Sequence, residues 1–109
     1  MANELSFCSY SLDTTTFSWD DHKNRRNQRK HGVSFEAAKL VFDDPLHITR
    51  QDRSEDGEQR WQTIGMVGDL ALLLVAHTWE DTESDGEHIR IISARRATNL
   101  ERKVYEQSP

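Results

Sequence analysis

Hydrophobic and polar positions change their period in blocks along this chain. Phe17 and Trp19 flank Ser18 as in a short strand, and Asp20 then stands as an N-cap before a basic segment, Asp21 to His31, that Gly32 closes. Ser34 caps a second helix whose Phe35, Ala38, Leu40, Val41 and Phe42 form an apolar face. Asp43-Asp44-Pro45 ends it, because proline disfavours helix in the residue before it. Leu46 to Arg50 predicts a short strand, and the polar, acidic stretch Gln51 to Glu58 with its Gly57 predicts a mobile loop of the kind that borders sites. Arg60 to Val67 alternates weakly, Gly68-Asp69 signals a two-residue turn, and Leu70 to Thr78 is a continuous apolar run expected near the sheet centre. A second acidic loop, Trp79 to Gly86, leads to a strand over His88 to Ser93. Helical spacing follows from Ala97 to Tyr105, with Leu100, Val104 and Tyr105 available for packing. The predicted order is β, α, α, several antiparallel β, α, an α+β fold. Residues 1–16, polar and rich in Ser and Thr, carry Leu5, Phe7, Tyr10 and Leu12 without a period, so they are expected to be an N-terminal extension to a single domain over 17–109.

Composition narrows the class. At 109 residues the chain builds one core without needing a disulfide or a structural metal. Its one cysteine, Cys8, has no cysteine to pair with and no neighbours at metal-ligand spacing, which suits a reducing cytoplasm and predicts neither metal nor other cofactor. The N-terminus lacks a basic start followed by an apolar run, and Leu70 to Ala76 is too short to span a bilayer, so a soluble cytoplasmic protein with no membrane partner is expected. A net charge of -5 argues against nucleic acid at first sight. The distribution alters that picture: Lys23, Arg25, Arg26, Arg29 and Lys30 form one basic cluster, and Arg90, Arg95, Arg96, Arg102 and Lys103 a second. Acids gather at Asp52 to Glu58 and Glu80 to Glu87.

Three segments in this order, FSWDDHKNRRNQRKHGVSFEAAKLVFDDPL, GEQRWQTIGMVGDLALLLVAHT and IRIISARRATNLERKVYE, resemble the BrnT toxin family. The resemblance runs from Phe17 to Glu106. It includes Trp19-Asp20, Lys23, Asn27, Lys30-His31-Gly32-Val33-Ser34-Phe35, Glu58, Arg60, Gly65, His77-Thr78 and Ile91-Ile92-Ser93-Ala94-Arg95. The chain departs from the family in the residues before Phe17 and in its acid-rich second loop. The resemblance implies a RelE-like fold, an antiparallel sheet packed against two N-terminal helices with a C-terminal helix. It also implies a ribonuclease toxin of a type II toxin-antitoxin system that cleaves RNA without a metal, inhibiting translation and growth. Its implied partner is a BrnA-like antitoxin, in a homodimer or heterotetramer, with operator DNA reached only through that antitoxin.

Such cleavage needs a base for the ribose 2′-hydroxyl, cations for the phosphate oxygens and an acid for the leaving 5′-oxygen. His77 stands where the apolar strand meets polar sequence, and is expected at the sheet edge as acid or base; a buried histidine bonded to the backbone is the plainer reading. Arg60, Arg90 and Arg95 lie on or beside adjacent predicted strands, where guanidinium forks fit a phosphate. Their alternative is pairing with carboxylates, Arg60 with Glu58 or Arg95 with Glu101. Glu58 either acts as base or orients Arg60. Lys30 and His31 end the basic helix, where the macrodipole alone favours cations and RNA contact is an added role. Two other functional classes remain at this stage. One is a toxin of the same fold that binds a protein target such as a topoisomerase without nuclease activity; the other, weaker, is a DNA-binding autorepression module.

Overall fold

The computed structural model describes residues 15–69, 71–82 and 86–107. Strand β1 (Thr16–Ser18) leads into helix α1 (Asp21–His31) and the short helix α2 (Phe35–Ala38), which tightens into a 3-10 turn over Lys39–Asp43. Strands β2 (Ile48–Glu55), β3 (Glu58–Val67), β4 (Ala71–His77), β5 (Glu80–Thr82) and β6 (Gly86–Arg96) follow, and helix α3 (Asn99–Gln107) closes the chain. The α+β class expected from the sequence is the one found. Six strands make one sheet in the order β1-β6-β4-β3-β2, with β5 also paired to β6. The pairs are antiparallel except β1 with β6, which is parallel. Among the described residues no helix is long and apolar enough to cross a membrane.

Local chemistry accounts for the helices. The Asp20 carboxylate caps α1 by accepting from the Lys23 amide at 3.1 Å, and the Gly32 amide donates back to the Gln28 carbonyl at 2.8 Å. Ser34 caps α2 through the Ala37 amide. Asn27 is buried on α1 and acts as a substitute strand: its amide nitrogen donates to the Ala94 and Val33 carbonyls, both at 2.8 Å, and its oxygen accepts from the Ala94 amide at 3.1 Å. The free edge of β6 is thereby covered by a helix.

The sheet buries two unequal clusters. On the face under α1, α2 and the 3-10 turn lie Val33, Phe35, Ala38, Val41, Leu73, Val75, Ile89, Ile91 and Ala94. Gly65 permits that approach, since a Cβ there would stand 2.8 Å from the Val41 carbonyl oxygen. On the opposite face Ile64, Leu72 and Leu74 form a smaller cluster with Met66, Ala97 and Tyr105, beneath α3. Asp44 staples the layers: it accepts from the Met66 amide at 2.8 Å, the Leu46 amide at 2.9 Å and the Tyr105 hydroxyl at 2.5 Å. Burial pushes the Asp44 carboxyl up, but these donors together outweigh it and hold its pKa below the usual value. Burial and the neighbouring carboxylate push the Tyr105 phenol up to about 12.

Two predicted loops are in part strand. Gln51 to Glu55 completes β2, and Asp56 (φ 53°) with Gly57 (φ 80°) makes the turn into β3. Two left-handed residues in succession match the twist of a tight hairpin, and Asp-Gly is the pair suited to it. Within the second acidic stretch, Glu80–Thr82 pairs with Gly86–His88. Most of the expected extension, residues 1–14, lies outside the described residues, while Thr16 is already paired with His88 in the sheet.

Candidate functional site

Strand register decides which residues meet. In the β3–β4 ladder Gln62 faces Ala76 and Ile64 faces Leu74, so Arg60 and Glu58, two and four residues before Gln62, share the face that α3 partly covers. Arg95 lies opposite Leu74 and belongs to that face too. By strict alternation Arg90 and Arg95 would point to opposite sides. A bulge removes the conflict: Ser93 pairs with Ala76 but Ile91 pairs with His77, leaving Ile92 as an extra residue that shifts the phase by one. Arg90, between buried Ile89 and Ile91, therefore emerges on the same face as Glu58, Arg60 and Arg95.

Beyond the rim of α3 this face is a groove of about 280 Å³ that includes Arg53, Arg60 and Arg95 together with the carboxylates of Asp52 and Glu55. Arg90 Nη2 donates to Glu58 Oε1 at 2.7 Å. Arg60 sits between two carboxylates without bonding either: Nε is 3.8 Å from Glu58 Oε1 and Nη1 is 3.8 Å from Glu55 Oε2. Its Nε is buried and has no hydrogen-bond partner. A charged donor held in a groove with an unmet bond is costly unless an anion completes it.

Arg95 is more fully engaged. Both of its Nη atoms bond Glu101, at 2.8 and 2.9 Å, and Glu101 in turn accepts from the Thr98 amide while its own amide donates to the Thr98 hydroxyl. Thr98 and Glu101 form a capping box at the start of α3, and Arg95 clamps that box to β6. The Arg95 guanidinium and the Thr98 donors bring the Glu101 carboxyl down to about 2.

His77 lies elsewhere. It is 1% exposed, on the face under α2 and the 3-10 turn, where its ring meets Phe42 edge-on at 5.1 Å. Nδ1 donates to the Thr78 carbonyl at 2.8 Å, so Nε2 accepts from the Thr63 hydroxyl at 2.8 Å, which in turn accepts from Thr49 at 2.8 Å. Burial pushes its pKa down, against the opposing pull of the Thr78 carbonyl. The expectation that this imidazole emerges at the sheet edge with a pKa near the working pH differs from what is found, because Phe42 of the 3-10 turn packs against the ring and Thr63 and the Thr78 carbonyl occupy both of its nitrogens. The structure brings Glu58, Arg60, Arg90 and Arg95 together and leaves His77 on the other side of the sheet.

One residue of the open face was missed in the sequence. His88 alternates with Arg90 along β6, and its ring nitrogens contact the hydroxyls of Thr16 (2.7 Å) and Ser18 (2.9 Å) on β1. The signal was His-x-Arg alternating with Ile89 and Ile91; the hydroxyls that pin it lie some seventy residues upstream. Lys30 and His31 end α1 beside β6, in a second groove that also holds Lys23 and Arg26. Among the described residues no group of three or more His, Cys, Asp or Glu side chains is arranged to hold a metal ion.

Comparison with known proteins agrees with this architecture. The crystal structure of the Brucella abortus ribonuclease toxin, BrnT, superposes with a TM-score of 0.54 at 25% identity, covering 78% of this chain and 99% of that one. No curated protein sequence matches. The family model for BrnT, the ribonuclease toxin of type II toxin-antitoxin systems, matches residues 19–101, which takes in both helices, the whole sheet after β1 and the start of α3. The chain therefore belongs to the BrnT family of ribonuclease toxins of type II toxin-antitoxin systems.

Proposed function

We propose that this toxin cleaves RNA without a metal ion on the open face of the sheet, where Glu58 and Arg90 stand beside the groove of Arg60. The observation that carries the reading is Arg60: a partly buried guanidinium whose Nε lacks a partner, set beside a carboxylate already engaged by a second arginine. A scissile phosphate placed there receives two planar cations, which take over the charge that a metal would otherwise neutralise. Glu58 takes the proton of the 2′-hydroxyl as that oxygen attacks phosphorus. The bond to the 5′-oxygen breaks, leaving a cyclic phosphate on one product and a 5′-hydroxyl on the other. The proton that the 5′-oxygen needs comes from solvent at this open face, while His88, its two ring nitrogens held by Thr16 and Ser18, fixes β1 against β6 beside Arg90. Arg95, committed to Glu101, positions β6 and α3 around the groove, and His77 stiffens the sheet from behind. Lys30 and His31 contact RNA outside the reacting centre.

The family assignment carries an antitoxin partner. We infer that it is BrnA-like, that it neutralises the toxin in the cytoplasm within a homodimer or heterotetramer, and that operator DNA is reached only through it. The test is cleavage of a single-stranded RNA by antitoxin-free protein in buffer containing EDTA. Cleavage that persists in EDTA and disappears with Arg60→Ala supports the reading. Activity abolished by EDTA and restored by a divalent cation sinks the metal-free chemistry.

A further inference from the structure

Between α1 and the outer edge of β6 lies a second groove, lined by Lys23, Arg26, Lys30 and His31 from the helix and by Ile92 and Ser93 from the strand. None of its lining residues is acidic, in a chain whose net charge is -5. Ile92 and Ser93 also line the groove of Arg60 and Arg95. The two grooves, the one on α1 all basic or neutral and the other with three arginines against two carboxylates, meet over the β-bulge of β6, with Ile92, the extra residue of that bulge, between them.

Resting on the ribonuclease reading above, we propose that the phosphate backbone of single-stranded RNA continues from the Arg60 groove across Ile92 and Ser93 into this groove on α1. There Lys23, Arg26 and Lys30 hold the phosphates that flank the cleaved one.

Helix stability does not explain these cations. The end of a helix favours positive charge, which accounts for Lys30, but Lys23 stands in the first turn, where the dipole opposes it. Lys23 with Arg26 and Arg26 with Lys30 are like-charge neighbours at three and four residues' spacing, each pair destabilising the helix that carries it. No ion pair joins any of the three to a described carboxylate within 4.0 Å. Asp20 offsets the charge of Lys23 in part, but Arg26 and Lys30 have no such carboxylate beside them among the described residues, and local rules broken in this way are the mark of a surface kept for a ligand. Lys23 and Lys30 are two turns apart, roughly 10 Å along the axis, so the ligand is an extended polyanion rather than a single phosphate. Asn27, between them, is tied to Ala94 and fixes the helix against β6, so the track is preformed. Continuity with the arginine groove selects RNA over an acidic protein segment, since that groove already runs from Arg60 across β4 to Ile92 and Ser93 of β6, where the groove on α1 begins.

The experiment measures binding of a fluorescent single-stranded RNA, blocked at the reacting sugar by a 2′-deoxy substitution, across a series of salt concentrations. Wild-type protein is compared with Lys23→Ala/Arg26→Ala/Lys30→Ala, and cleavage of the unblocked RNA by wild type is recorded alongside. All three positions are exposed and alanine is the best helix former, so the triple variant keeps its fold; circular dichroism checks this. Its lysine-for-arginine counterpart, Arg26→Lys, keeps the charge. The triple variant is expected to bind about tenfold or more weakly and to flatten the slope of log affinity against log salt by about 2, at roughly 0.7 per lost contact to a single strand. Arg26→Lys is expected to retain wild-type affinity and slope.

Wild type that cleaves, with a folded triple variant whose affinity and slope are unchanged, overturns the α1 track and leaves the Arg60 site standing. A triple variant that keeps RNA affinity but loses its antitoxin also overturns the proposal and assigns the groove to the partner. Wild type that neither binds nor cleaves RNA removes both readings.

Discussion

On the face covered by α1, α2 and the 3-10 turn, the sheet encloses Val75, Ile91 and a histidine whose two ring nitrogens are both bonded. On the other face, past the small cluster under α3, the same strands carry the exposed pair Glu58 and Arg90 and, beside it, Arg60 in the wall of an open groove. β3, β4 and β6 contribute to both. The difference is coverage: where helices seal the sheet, His77 and Thr63 are paired at every polar atom, and where they do not, Arg60 stands near two carboxylates with its Nε bond unmade. Thr63 and Arg60, three residues apart on β3, show the two regimes: the hydroxyl has both of its partners and the guanidinium nitrogen has none. Sealed polar chains define the fold, and open unsatisfied ones wait for a ligand.

The sharpest way to break this contrast is at Arg60. Arg60→Lys keeps the charge and loses the fork, and RNA cleavage is expected to fall on the order of 10² to 10³-fold with the thermal midpoint little changed. A loss of stability matching the loss of activity would make Arg60 structural and erase the distinction between the faces. Next comes the sealed side. His77→Ala opens a cavity beside Phe42 and strands the Thr63 hydroxyl, at an expected cost of about 3 kcal/mol in denaturant unfolding. Cleavage per folded molecule, measured beside it, separates support from chemistry: a drop as deep as that of Arg60→Lys would return the imidazole to the reaction.

The clamp at the start of α3 ranks third. The Glu101 carboxyl is held at about 2 against an ordinary value of 4.5, so it contributes stability that is full above the unfolded value and is lost as pH falls from about 4.5 towards 2. With Arg95 partly exposed and screened, the contribution is about 1 to 2 kcal/mol. Glu101→Gln is expected to flatten the acid limb of the stability curve in that window. His77 adds a separate window: its lowered pKa means that the unfolded chain takes up the proton first, so stability falls as pH drops below 6.5. A His77→Ala protein that keeps this upper limb would assign it to another group. Smallest is Tyr105→Phe, which removes the donor to Asp44 at the far end of α3 and is expected to cost about 1 kcal/mol, read as a shift in the denaturant midpoint without a change of slope.

Much of this was legible in the sequence, because local signals carry it. Asp20, Gly32 and Ser34 mark helix ends by chemistry that acts within a turn, and each cap is present. The hairpin at Asp56-Gly57 was also legible, but the acidity of Gln51 to Glu58 was read as a loop; those side chains are solvated on an edge strand, where alternation has no core to report. β5 carries three exposed residues, Glu80–Thr82, and so leaves no hydrophobic pattern at all. The site divides along the same line. Arg60, Arg90, Arg95 and Glu58 were recognisable by type, and the pairing of Arg95 with Glu101 by spacing. His77 stands behind the sheet because it alternates in phase with Leu73 and Val75, whose facing is set by the helices packed on them, and that Arg90 and Arg95 share a face depends on the bulge at Ile92, which follows from strand register and not from either strand's own residues. His88 was hidden because Thr16 and Ser18 reach it through the parallel pairing of β1 with β6, the longest-range pairing in the sheet.

The central claim is that RNA reacts on the open face. It is tested most directly by NMR, titrating the isotope-labelled toxin with a single-stranded RNA made uncleavable by a 2′-deoxy sugar. The account predicts shifts in the Arg60 and Arg90 guanidinium signals and in the amides of Glu58 to Gln62, with the His77 ring and Phe42 unmoved. Shifts confined to His77, Phe42 and Trp79 would place the RNA on the opposite face and contradict it.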